Sequence, residues 1–294
     1  MVYKWRVVFI VHFEMANRAV TEGLRRYIMT TDKHTLSAQK ILEFMRNGAD
    51  PNMRCSSMSV GGSRPGQTLL MFLSIWGAFV RPGRLYDEIL GLFEYLLRRP
   101  EIELNVRDEQ RSMLIHHVVQ MPYPIFLELL LRDVSVHANV GVVDGDGLSP
   151  LHIACLYNHI PLESIEHLLR AGVNPFMPTQ EERRTPLHNA IISYYAIPNE
   201  FRLTRILRRF LEYRVDLGDA KYRDNVGRTF MHYAADFVGD KTICAILLEN
   251  GGGRSLGVRD LSHKTPLEVA IDRGNAGAIA AIQEYKVRVA HGLL

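Results

Sequence analysis

Three histidines, His152, His188 and His232, recur at one place in a repeated four-residue word, and a recurring imidazole first raises the question of metal chemistry. Zinc holds its nitrogen ligands about 2 Å from one centre. Equivalent positions on packed helices lie about 8–10 Å apart. Histidines carried by successive modules therefore cannot converge on an ion, and a structural role follows. His116 and His117 are neighbours on one predicted helix and point in different directions, which excludes a joint ligand. Cys55, Cys155 and Cys244 are odd in number, far apart and without paired spacing, which argues against a disulfide framework or a zinc site. Cys155 and Cys244 sit in apolar helical stretches, where a thiol behaves as a small hydrophobe. Gly61-Gly62 and Gly251-Gly252-Gly253 lack the lysine and hydroxyl of a phosphate loop. No Gly-x-Ser-x-Gly elbow occurs. The carboxylates are scattered on turns. No catalytic, cofactor or metal residue is assigned, and the chain does not read as an enzyme.

A formal charge of +3, from 35 Lys and Arg against 32 Asp and Glu, gives no whole-chain argument for nucleic acid. The densest basic stripe is Arg202, Arg205, Arg208 and Arg209, which share one helical face opposite Phe201, Ile206, Leu207, Phe210 and Leu211. Its plain reading is a solvated amphipathic face; an acidic partner is the alternative. Val7 to Val11 is a short apolar stretch that reads as a strand or the start of a capping helix rather than a targeting signal. Nothing approaches the roughly 18 apolar residues of a membrane span. Together with the cysteine usage, this points to the cytoplasm or nucleus, and a monomer is the expectation.

The elements that position these residues follow from the repeated word itself. It reads Thr185-Pro186-Leu187-His188, with variants at Ser149 to His152, Thr229 to His232 and Thr265 to Glu268. Weaker copies begin at Ser112 and Thr68. The spacings are about 44, 37, 36, 44 and 36 residues, a period that marks a stack of small modules. In the clearest module Asp146-Gly147 makes a turn, Ser149 caps a helix and Pro150 occupies its first position, where the missing amide costs nothing. Leu151, Ala154 and Cys155 face the core. A second helix spans about 162–170, and Ala171-Gly172 ends it with a left-handed cap. Turns at Asp224 to Gly227 and Asp260 to His263 repeat the grammar. No such module buries its own apolar face, so the array must fold as a stack. The two long spacings mark insertions, at 193–201 and at 74–86. Trp76 and Tyr194-Tyr195, within the insertions, and Phe237 are candidate exposed aromatics. Residues 52–66 read as a long hairpin.

These words, the Ala pairs and endings such as Asn47-Gly48-Ala49-Asp50-Pro51-Asn52 resemble the ankyrin repeat family over about residues 36–285. The resemblance implies an all-α solenoid of stacked helix-turn-helix repeats with β-hairpin fingers: an N-terminal cap at 1–35, a half repeat plus about six repeats at 36–285, and a tail at 286–294. It also implies that the motif histidine bonds backbone in the finger region and fixes one repeat to the next. The implied function is non-enzymatic protein–protein recognition or scaffolding, with contacts from finger tips and inner helices. Carried over by position, the contact residues are Glu109, Gln110, Arg111, Leu148, Leu156, Tyr157, Arg184, Asn225, Val226, Arg228, Asp236, Phe237, Lys264, Asp272 and Arg273. The alternatives are an adaptor that recruits substrates for ubiquitin transfer and an ankyrin effector delivered into a host. In some family members the asparagine after the second helix is hydroxylated, and Asn52, Asn105, Asn139 and Asn174 lie at or near that position.

Overall fold

Each Ser/Thr-x-x-His word starts a helix, and in the computed structural model it does so by closing a capping box. The structure describes residues 17–28, 36–55, 66–132, 140–213 and 216–293; the expected strand at 7–11, most of the 52–66 hairpin and Asn139 lie outside them. The chain forms two compact units, 1–139 and 140–294.

The first unit's described residues open with a helix over 17–28 (α1) and α2 (Ala38–Arg46). Strands β1 (Arg54–Cys55) and β2 (Gln67–Thr68) pair antiparallel, Arg54 opposite Thr68. Helices α3 (Leu69–Ala78), α4 (Arg84–Leu97), α5 (Leu114–Val118) and α6 (Ile125–Arg132) complete it. Phe72, Trp76, Phe93 and Phe126 are fully buried, with Phe93 and Phe126 edge-to-face at 5.0 Å. The expectation of an exposed Trp76 in an insertion is therefore corrected. The extra residues prolong α3 by a turn, and its near-continuous apolar run buries the indole against Phe72.

The second unit is a stack of four helix pairs: α7 (Pro150–Leu156) with α8 (Leu162–Arg170), α9 (Pro186–Ala196) with α10 (Glu200–Leu211), α11 (Phe230–Phe237) with α12 (Lys241–Glu249), and α13 (Pro266–Arg273) with α14 (Ala276–Ala290). Inner helices α7, α9, α11 and α13 pack each on the next, as the solenoid reading requires. The insertion at 193–201 adds length to α9, so Tyr194 packs inside while Tyr195 projects. Helix α14 runs past Tyr285 to Ala290, because no Gly or Pro interrupts it before Gly292 and Arg288 pairs with Glu249.

Four of the described fingers share one turn; the finger at 179–184 has Thr179 in the aspartate's place, its hydroxyl accepting Arg184 N–H at 3.1 Å. An aspartate carboxylate accepts two amides of its own tip: Asp108 from Gln110 and Ser112, Asp144 from Asp146 and Leu148, Asp224 from Val226 and Arg228, Asp260 from Ser262 and Lys264, at 2.7–3.1 Å. The fourth residue of the turn is left-handed: Gly147 and Gly227, but Arg111 and His263 at φ 61° and 59°. An L-residue there costs about 1–2 kcal/mol. His263→Gly should therefore raise stability by about 0.5–1 kcal/mol, part of the relief being returned to the looser unfolded chain. A urea unfolding curve with an unmoved or lower midpoint would contradict this account of the turn.

Candidate functional site

Tip, inner helix and linking edge form the accessible parts of each repeat, and the histidines beneath them fix the geometry. The N–H groups of Ser149, Thr185 and Thr229 donate to Nδ1 of His152, His188 and His232 at 3.3, 3.1 and 3.1 Å. A backbone amide can only donate, so each Nδ1 is the acceptor and the proton sits on Nε2. Nε2 of His152 then donates to Arg184 O, and that of His232 to Lys264 O, both at 3.0 Å in the next finger. His116 plays the same local part, accepting Met113 N–H at 3.0 Å, while His117 reaches Asp108 at 2.9 Å.

His188 departs from the scheme. Its Nε2 is buried without a partner, and its ring lies 4.2 Å from Phe230, nearly parallel. The longer spacing to the next repeat removes the expected carbonyl, and Phe230, standing where its sister repeats have proline, fills the space. Burial presses the pKa of all three histidines below the ordinary range, that of His188 to about 3. The final repeat has Glu268 instead, which closes the box on Thr265 N–H at 2.6 Å but has no N–H to send forward.

The fifteen positions carried over from the family fall in both units. Glu109, Gln110 and Arg111 are exposed on a tip of the first; the others lie in the second. Adjacent tips there are joined through backbone, Asn225 N–H to Glu182 O and Leu261 N–H to Val226 O at 2.9 Å. Asn225, Val226, Lys264, Asp272 and Arg273 are exposed; Leu148, Leu156, Arg184, Arg228 and Phe237 are half-buried; Tyr157 is 43% exposed. Asp236 is buried, and its carboxylate receives Arg228 at 2.8 Å and Arg273 at 2.5 Å. Arg228 also meets Asp260 at 3.3 Å, and Lys264 meets Asp272 at 2.5 Å. Arg184 donates to Tyr233 and to Glu182, at 2.9 and 2.8 Å. Burial and its bond to Asp224 raise the Tyr233 phenol well above its usual range. The charges carried by the α11 and α13 repeats thus neutralise one another within the fold.

A second correction concerns the arginine stripe. Arg205, Arg208 and Arg209 face outward, with Arg205 and Arg209 meeting Glu166 at 3.2 and 3.6 Å, but Arg202 is buried, 6% exposed. It donates to Ala154 O at 2.8 Å, Ile160 O at 2.5 Å and Tyr157 O at 3.3 Å, serving carbonyls at the end of α7 and in the loop after it. Asn275 does the same for α11 through Ala235 O and Val238 O, and Asn158 for α9 through Ser193 O and Ile197 O. Their acceptors are backbone atoms some forty residues away, and no side-chain motif announces such a contact.

Chemistry finds little purchase. Burial raises the thiols of Cys155 and Cys244 to about 12, which makes them poor nucleophiles. Among the described residues no three His, Cys, Asp or Glu side chains are placed to hold a metal ion. None of the described helices is long and apolar enough to cross a membrane. One depression beside α4 is lined by Glu94, Tyr95, Arg98, Arg99 and Glu101, whose cations already pair with its own carboxylates. Asn52 and Asn174 use their side chains in turns, Asn52 toward Glu101 O and Glu103 N–H and Asn174 toward Phe176 N–H.

Comparison with known proteins agrees with this geometry. The family described as ankyrin repeats (3 copies) matches residues 114–200. FPV024, an ankyrin repeat protein of fowlpox virus (strain NVSL), is 26% identical over 143 residues, 49% of this chain and 22% of that protein. The B-cell lymphoma 3 protein homolog of Mus musculus is 30% identical over 145 residues, 48% of this chain and 30% of its own length. The chain thus spans less than a third of either relative. Among solved structures, the ankyrin repeat domain of Bcl-3, a member of the IkappaB family, matches with a TM-score of 0.58 at 15% identity, covering 88% of this chain and 97% of that one. A chain from the complex of the Bdellovibrio bacteriovorus endopeptidase Bd0816 with the immunity protein Bd3460 matches with a TM-score of 0.52 at 20% identity. That match covers 66% of this chain and 92% of the other. At these identities the structural likeness speaks for the fold.

Proposed function

From the premise that the chain is an ankyrin-repeat protein, we propose that it is a non-enzymatic binding module that recognises a protein partner through finger tips and inner helices. One observation carries the reading. Four tips are held by an aspartate and by backbone, so the side chains of Gln110 and Val226 are exposed without holding the turn. Side chains outside the core and outside the caps are available for recognition. The internal pairing of Arg228, Asp236, Arg273, Lys264 and Asp272 makes the C-terminal part of this face a preset pattern of charge. Such a pattern governs orientation and specificity more than affinity.

The test is affinity capture with mass spectrometry. The native chain is compared with a tip variant (Asn225→Ala, Val226→Asp) and an inner-helix variant (Tyr157→Ala, Phe237→Ala), each shown folded by circular dichroism. We expect a specific prey to fall at least about tenfold in one or both variants, because a few residues carry most interface energy. Equal capture by all three proteins would sink the reading.

A further inference from the structure

The edge where the inner helices α7, α9 and α11 end and the outer helices begin carries exposed aromatic and aliphatic side chains. Tyr195, Ile197 and Phe201 are 68, 61 and 67% exposed there, beside Tyr157 at 43%. Two sets of contacts tie the inner helices together along this edge. Tyr195 meets Phe237 at 5.2 Å on the next inner helix, and Asn158, next to Tyr157, holds the end of α9 through Ser193 O and Ile197 O. Scattered exposed apolar residues are ordinary, but a contiguous set of large ones marks a contact surface.

The charge along this edge is one-sided. Across 157–163, 195–201 and 237–240 there is no Lys or Arg, while each stretch carries one carboxylate, Glu163, Glu200 and Asp240, at or beside the start of an outer helix. This occurs in a chain whose net charge is +3. Besides burial, the fields of Glu200 and Asp240 raise the phenol of Tyr194, one residue before Tyr195. Cations near the edge are engaged, Lys241 with Glu284 at 2.5 Å and Arg205 with Glu166 at 3.2 Å. Arg205 also lies 5.6 Å from the Phe201 ring centre, showing how such a ring takes a guanidinium.

We propose that this edge binds a basic peptide segment of a protein partner. Its Lys or Arg side chains meet Glu163, Glu200 and Asp240 and the faces of Tyr157 and Tyr195, while interspersed apolar side chains cover Ile197 and Phe237. The inference rests on the protein-binding reading above and adds the partner's chemistry. Aromatic faces and carboxylates attract cations, and both repel the phosphates of nucleic acid and of anionic lipid.

The test uses the full chain and three labelled peptides, in which Leu alternates with Arg, with Ser or with Glu, read by fluorescence anisotropy. We expect the Leu–Arg peptide to bind at least about tenfold more tightly than the other two, a 1.4 kcal/mol margin. Tyr195→Ala and Glu200→Gln should each weaken it several-fold, and added salt should weaken it further. Both side chains are exposed, so neither change threatens the fold; Arg208→Ala, on the outer face, should leave binding unchanged. Equal binding of the Leu–Glu peptide, or an unchanged affinity in Tyr195→Ala and Glu200→Gln, overturns the proposal. If peptides fail but captured prey still depends on the tips, the protein-binding function stands and only this partner chemistry falls.

Discussion

Arg202→Ala should destabilise the second unit by about 3–4 kcal/mol, whereas Arg208→Ala, two turns along the same helix, should stay within about 0.5 kcal/mol. The difference comes from what the two guanidiniums touch. Arg208 is exposed; Arg202 supplies donors to three carbonyls from α7 and the loop after it. Removing it takes the donor from Ala154 O and Ile160 O, while Tyr157 O keeps Ile160 N–H at 3.1 Å, and unpaired buried groups are more costly than the average hydrogen bond is favourable. Burial also lowers the pKa of Arg202, and no carboxylate pairs with it directly, so the carbonyl dipoles must hold the charge. Arg202→Met separates the contributions. It keeps the aliphatic bulk but no donor, and it should recover only the packing share of the loss. Hydrogen exchange should then show the amides of 154–160 opening earlier than in the native chain. Urea midpoints for Arg202→Ala and Arg208→Ala that coincide would show that this arginine is not a cap.

Acid should weaken the stack while most carboxylates are still ionised. His152, His188 and His232 are held neutral by burial, and the folded-state pKa of each lies below that of the unfolded chain, about 6.5. Where the folded pKa is depressed, the unfolded chain binds the proton first. The stability these groups permit is therefore complete above about pH 6.5 and declines as the pH falls toward the folded pKa. For His188, whose folded value is about 3, the decline is about 1.4 kcal/mol per pH unit, so near pH 5 it amounts to about 2 kcal/mol. The other two act in the same direction. Urea unfolding at about pH 7.5 and pH 5 should show this loss, and His188→Leu should be less stable at the higher pH but less sensitive to acid. Identical pH dependence in the native and His188→Leu proteins would mean that His188 is protonated as readily folded as unfolded.

How much of this was legible in the residues can be judged element by element. The Ser/Thr-x-x-His word, the prolines at first helical positions and the glycines after second helices place most helices of the second unit, because capping is local chemistry. The histidine link to the following finger came from the family resemblance, and two of the three histidines make it. Three features escaped. Trp76 sits within an apolar run where helix and inserted loop look alike, and only packing decides. Arg202 matches its exposed neighbours in spacing, yet its acceptors belong to an earlier repeat. Asp236 and Phe237 are adjacent letters, but one is drawn inward by two arginines and the other borders the surface. In each case the deciding partner is distant in sequence, and a one-dimensional pattern does not contain it.

The aspartate at the base of four of the fingers divides the inheritance of this molecule. Because Asp108, Asp144, Asp224 and Asp260 satisfy the tip through amides alone, a tip side chain can change identity without disturbing the turn that presents it. Descent can therefore keep the scaffold and rewrite the reading head, one repeat at a time. Two copies of such a gene could diverge completely in what they recognise while remaining almost indistinguishable in how they fold.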